Sequence, residues 1–91
     1  MEVIFRVSKD GELFAAFPVF HDTKREFIQI YTEEGQHVPC SIDYVLEESK
    51  AAKKEQSESL LNELHSIGYL NLSVLSGLKE FKKHLRISQC L

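Results

Sequence analysis

Two runs of alternating side chains flank the tripeptide Lys9-Asp10-Gly11 and commit the start of the chain to a β-hairpin. On one side Val3, Phe5 and Val7 alternate with Ile4, Arg6 and Ser8. On the other, Leu13, Ala15, Phe17 and Val19 repeat every second residue. That is the period of a strand with a buried face. Opposed residues in a sheet must share a face, which fixes the loop length. A two-residue Asp10-Gly11 loop would set Val7 opposite Phe14 and mix the faces. A three-residue loop pairs Ser8 with Glu12, Val7 with Leu13 and Phe5 with Ala15, and places Gly11 in the left-handed position of a type I turn with a G1 bulge.

The hairpin opens a chain of 91 residues, enough for one domain with a modest core. Pro18 stops ladder donation near the end of the second strand, and the polar run from His21 to Glu26 reads as a loop. Residues 27–32 form a third strand with Ile28 and Ile30 inward. Residues 33–50 have no clean period, and a short strand around Val45 is the expectation there. Between Lys53 and Ile67 the residues Leu60, Leu61, Leu64 and Ile67 fall on one arc of a helix. Gly68 is its left-handed C′ residue, and Tyr69 folds back on Leu64. Residues 70–75 form a fourth strand with Leu70, Leu72 and Val74 on one face. Ser76 caps a last helix starting near Gly77, docked through Leu78, Phe81 and Leu85.

The expected fold is α+β, in the order β-β-β-α-β-α, with a four-stranded mixed sheet. Its first three strands form an antiparallel meander. The fourth runs parallel to strand one, giving the order 3-2-1-4, or else joins strand three at the other edge. Residues 1–75 make the core unit and 76–91 a basic C-terminal helix. Phe14, Phe20, Phe27 and Tyr31, with Ile4 and Ala16, point away from the face that carries Phe5 and Phe17. Either the 33–50 segment covers that second face or it stays open to a protein partner or a second copy.

Composition and charge narrow the function. With 43% hydrophobic and 27% charged residues the chain is neither a disordered tail nor a rod. No run of apolar residues is long enough for a membrane span, and no basic leader precedes an apolar stretch, so a cytoplasmic setting is expected. The net charge of −3 is unevenly spread. Residues 1–78 hold seven basic and thirteen acidic side chains. Lys79, Lys82, Lys83 and Arg86 follow against Glu80 alone. A nucleic-acid binder is normally basic overall, so only this last stripe offers a phosphate contact.

Gln36, His37, Cys40, Asp43 and Tyr44 are the candidate binding residues. His37, Cys40 and Asp43 stand three apart, and on a helical turn they would converge on a metal ion, with His21 or Asp22 completing the set. Pro39 opposes a helix there, and an irregular loop whose Gln36 and His37 satisfy backbone groups is the better reading. Cys40 as a nucleophile with His37 or His21 as its base is the enzymatic alternative, yet no oxyanion loop surrounds it. Cys40 and Cys90 are expected to be free thiols. There is no phosphate loop, no nucleophile elbow and no zinc-protease signature. Glu33-Glu34 and Glu47-Glu48 read as solvated surface. No catalytic residue, metal or cofactor is assigned.

Residues 35–44 read GQHVPCSIDY and residues 60–72 read LLNELHSIGYLNL. With VIFR at the start, GELFAAFP over residues 11–18 and Tyr31 ahead of GQH, the chain resembles a small family of uncharacterised bacterial proteins associated with phages and mobile elements. The resemblance covers about residues 3–75. It departs at Ala51 and Lys54, where prolines are expected, and at Ser57, where an aromatic is expected. It implies a fold unit and no activity. The function expected from the residues is a small non-enzymatic binding or accessory protein acting on a protein partner. Binding of nucleic acid or another anionic ligand through Lys79, Lys82, Lys83 and Arg86 comes second, and a cysteine- or metal-dependent enzyme third.

Overall fold

In the computed structural model the described residues are 1–22 and 27–89, with side chains described for 1–18, 27–85. The elements run β1 (Glu2–Ser8), β2 (Leu13–Asp22), β3 (Phe27–Thr32), β4 (His37–Ser41), α1 (Ile42–Glu47), β5 (Ser49–Ala51), α2 (Lys54–Ser66), β6 (Ser73–Val74) and α3 (Leu78–Gln89). The chain is an α+β protein with three helices around a mainly antiparallel sheet. The sheet order is β4-β3-β2-β1-β5, with β6 also on β1.

The first hairpin has the three-residue loop. Phe5 pairs with Ala15 and Val7 with Leu13. The Ser8 N–H donates to the Glu12 carbonyl at 2.9 Å, and the Gly11 N–H to the Ser8 carbonyl at 2.9 Å. Gly11 takes φ +87°. The same turn recurs between β3 and β4. There the Thr32 N–H donates to Gln36 at 3.0 Å, the Gly35 N–H donates to Thr32 at 3.0 Å, and Gly35 takes φ +84°. Ser8-Lys9-Asp10-Gly11-Glu12 and Thr32-Glu33-Glu34-Gly35-Gln36 are therefore one device used twice, with the left-handed glycine in the same place. Both tips lie at the same end of the sheet, where the Glu33 carboxylate accepts the Leu13 N–H at 3.0 Å.

The Thr32–Gln36 bond fixes which backbone groups of β4 face the sheet. Hydrogen-bonded pairs alternate along an antiparallel ladder. Val38 and Cys40, opposite Ile30 and Ile28, therefore bond inward, and His37, Pro39 and Ser41 face the open edge. Pro39 puts its missing N–H on that edge, where a proline does no harm and blunts strand addition.

β1 has a divided outer side. Its C-terminal half pairs antiparallel with β5, Val7 opposite Lys50. Its N-terminal half pairs parallel with β6, Val3 beside Val74. Ser73, Leu75 and Ala52 donate to the carbonyls of Met1, Val3 and Phe5 at 2.9, 2.8 and 3.2 Å. The parallel pairing on β1 is the expected one, but it spans two residues rather than the six of 70–75, and the sheet has more than four strands. Arg6, buried in the second face, holds β5 in place. Its Nε donates to Ser49 Oγ at 3.0 Å and its Nη2 to the Ser49 carbonyl at 2.7 Å. Ser49 Oγ in turn donates to the Val45 carbonyl at 2.6 Å, which supplies a partner for the last turn of α1.

Both sheet faces are covered. On one, Val3, Phe5, Val7, Leu13, Ala15, Phe17 and Tyr31 pack under Leu60 and Leu64 of α2. On the other, Ile4, Phe14, Ala16, Ile28 and Ile30 pack under Val45 of α1 and Phe81 and Leu85 of α3. This closes the face that was expected to be open if the 33–50 segment left it so, and Ile4 and Phe14 are buried within the chain. Four further expectations are corrected. Tyr31 lies with Phe5 and Phe17, because Ala15 pairs with Tyr31. Phe27 shares the parity of Tyr31 and is 44% exposed at the sheet's end. Val45 belongs to a helix, not a strand. β2 runs on to Asp22 past Pro18, through a register shift between Phe17 and His21. The side chain of Phe20 lies outside the described residues. Among the described residues no helix is long and apolar enough to cross a membrane.

α2 ends as expected. Gly68 takes φ +114°, the Tyr69 N–H donates to the Leu64 carbonyl at 3.0 Å, and the Gly68 N–H to His65 at 3.2 Å. These are the two bonds of a Schellman motif.

Candidate functional site

The five residues singled out in the middle of the chain do not converge. β4 is a strand, so His37 and Cys40, three apart, lie on opposite faces. His37 stands beside Tyr31, and Cys40 beside Ile28. Gln36 sits in the second turn, its carbonyl taken by Thr32. Asp43 and Tyr44 are exposed on α1, and the Tyr44 ring lies 6.3 Å from that of Phe14. Cys40 is half-buried against the second core, and burial pushes its thiol above the ordinary range. That is the reverse of what a nucleophilic thiolate needs. The side chains of His21, Asp22 and Arg86, and Cys90 entirely, lie outside the described residues.

His37 instead meets residues far away in sequence. Its Nε2 lies 2.7 Å from the Tyr69 hydroxyl, and its ring stands edge-on to Tyr31 at 4.9 Å. Tyr69 stacks on Phe17, with centroids 5.1 Å apart and planes 18° from parallel. The Tyr31 hydroxyl donates to the Glu63 carboxylate. That bond, then burial, then the charges of Glu63 and Tyr69 push Tyr31 above the usual phenol range. The other Glu63 oxygen, Oε2, is buried with no hydrogen-bond partner among the described residues. A Cβ at Gly35 would lie 3.6 Å from the Tyr31 hydroxyl, an ordinary contact.

The residues GQH of the second turn and GY of the helix end are thus neighbours in space. Chemically the group is two hydrogen-bonded pairs, Tyr31 with Glu63 and His37 with Tyr69, joined by the ring contact of Tyr31 with His37. The Tyr69 hydroxyl donates to Nε2, or Nε2–H donates to the hydroxyl, according to the imidazole tautomer. Mechanically it fastens the end of α2 to the β3–β4 hairpin. The sequence marked both ends of this contact, yet no spacing rule could join residues 32 positions apart.

The Schellman turn also sets the surface beside it. Ile67 is 49% exposed, Leu70 67% and Met1 44%. Met1 and Leu70 line one depression with Gly68, Tyr69, Asn71 and Leu72, and none of these side chains is charged. A second, separate groove is lined by Phe5, Ala52, Lys54, Ser57, Glu58, Leu61 and Val74. On α3, Lys79, Lys82 and Lys83 are exposed around a third hollow.

No protein-family model, curated protein or solved structure matches the chain.

Proposed function

We propose that this chain is a small, non-enzymatic binding protein that docks a protein partner through the corner formed by Met1, Ile67 and Leu70. The observation that carries the reading is the exposure of Met1 and Leu70 around one depression, with Ile67, also exposed, next in sequence to the Gly68 that lines it, where a lone exposed leucine would need no explanation. The corner is also held in place. The amino terminus donates to the Asn71 carbonyl at 3.2 Å, Ser73 donates to Met1 at 2.9 Å, and Gly68 fixes the turn between Ile67 and Leu70. A preformed surface loses little freedom on binding. The depression has no charged side chain, and the one charge beside it, the amino terminus, is engaged by the Asn71 carbonyl, so the partner it suits presents an apolar segment. The half-buried, free thiol of Cys40 supports a cytoplasmic setting for this role.

The test compares wild type with Leu70→Asp as bait in extracts of the native host. The reading expects a stoichiometric partner held by wild type and lost by the variant, with identical circular dichroism. A partner held equally by both would overturn it.

A second reading rests on α3. Lys79, Lys82 and Lys83 project from one side of the helix while the Glu80 carboxylate is engaged by the Ser76 hydroxyl at 2.7 Å, which leaves a basic strip for an anionic ligand.

A further inference from the structure

We propose that two copies of this chain associate through the groove between α2 and β6, with their α2 helices antiparallel across a two-fold axis. The groove is distinct from the Met1–Ile67–Leu70 corner, so this inference does not depend on the reading above. Its floor is apolar: Phe5, Ala52, Leu61 and Val74, the last 52% exposed. Its α2 wall carries Lys54 and Glu58, one helical turn apart and both exposed. Among the described residues neither has an ion-pair partner. A lysine placed four residues before a glutamate is the weaker orientation for pairing within a helix.

That charge order is self-complementary. In an isologous contact, residue i of one copy meets residue j of the other, and j meets i. A two-fold axis crossing α2 at the level of Gln56 sets Lys54 against Glu58 of the second copy, twice. Ser57, small and half-buried, then lies beside the crossing point and lets the helices approach closely. On the same axis Leu61 falls level with residue 51 of the second copy, next to Ala52 of its apolar floor. The apolar residues of α2 explain why this wall is free. Leu60 and Leu64 are spent on the sheet, and the earlier turns of the helix carry no residue that packs there. A stable dimer buries about 800 Å² per partner, a minor share of the 5963 Å² surface. At the β4 edge Pro39 opposes association by strand addition.

The test is sedimentation equilibrium of the full chain over a wide concentration range, at low and high salt. The proposal expects a mass rising to twice the 10.5 kDa of the chain. Lys54→Glu and Glu58→Lys should each weaken the dimer about tenfold at low salt, because two attractions become two repulsions. The double variant should return to within a few-fold of wild type. Both sites are exposed, and unchanged melting curves verify that the fold is kept. A Leu70→Asp variant should dimerise like wild type. A monomer at every concentration would overturn the proposal, as would a double variant no better than the singles. Loss of the dimer in Leu70→Asp would overturn it too, by placing self-association at the other corner.

Discussion

The imidazole of His37 and the hydroxyl of Tyr69 meet at 2.7 Å, and this contact joins the second hairpin turn to the end of the main helix. Behind it, Tyr69 stacks on Phe17 and Tyr31 bonds Glu63. The pair is worth the usual net value of one side-chain hydrogen bond, about 1 kcal/mol. Tyr69→Phe keeps the stack and removes the hydroxyl. It should cost about 1 kcal/mol in urea unfolding. Combined with His37→Ala it should show a coupling of similar size in a double-mutant cycle. Strict additivity would mean that the contact contributes nothing.

Gly68 is a backbone requirement, because a Cβ there would touch nothing within 4 Å while φ is +114°. Gly68→Ala should therefore destabilise by about 1–2 kcal/mol through conformation alone, and Gly68→Asn by less. Denaturant midpoints check this. An unchanged midpoint for the alanine variant would contradict the Schellman assignment.

Alkaline pH should unfasten the Tyr31–Glu63 bond. Tyr31 is raised above 10.0 in the fold, so the protonated phenol is the form that the native state favours. Its contribution is complete below that ordinary value and is lost as pH rises towards the folded value, because the unfolded chain releases its proton first. Wild type should lose stability above about pH 10 more steeply than Tyr31→Phe. Cys40, also raised, acts in the same direction from 9.0 upward, so both proteins should carry Cys40→Ser. Parallel curves for the two would contradict this assignment.

The basic strip on α3 separates the two functional readings. Four cations, Arg86 included, limit the log–log salt slope on duplex DNA to about −3.6. Residues 1–78 carry an acidic excess that repels phosphate. Labelled DNA and RNA should show no submicromolar binding near physiological salt. Such binding, lost when Lys79, Lys82, Lys83 and Arg86 become Gln, would favour the anionic-ligand reading.

The hairpin was legible because Gly11 and the alternation around it admit one register. The end of α2 was legible because Gly68 follows the last apolar residue of the arc. The 33–50 segment was not. A six-residue helix such as α1 is too short to show a 3.6-residue period, and Val45 is its sole fully buried residue. Tyr31 was assigned to the wrong face because β3 is buried on both sides, so the apolar pair Ile28 and Ile30 does not say which core it faces. Leu70 to Leu75 alternate like a strand, but Leu70 and Val74 turn outward and Leu75 turns inward. Hydrophobic period marks an element and leaves open whether its apolar side meets the core or the surface. Gln36, His37, Cys40, Asp43 and Tyr44 were judged by spacing along a supposed single turn, while the strand geometry of β4 sends them apart and delivers His37 to Tyr69.

Docking of a protein partner at the Met1–Ile67–Leu70 corner can be read by photo-crosslinking in the native host. A benzophenone amino acid is placed at Leu70 and, as a control, at the exposed Lys50 on the far side of the sheet edge. One discrete adduct is expected from position 70, absent from position 50 and abolished by Ile67→Asp in the same chain. Adducts of equal yield from both positions, or one that survives Ile67→Asp, would contradict it.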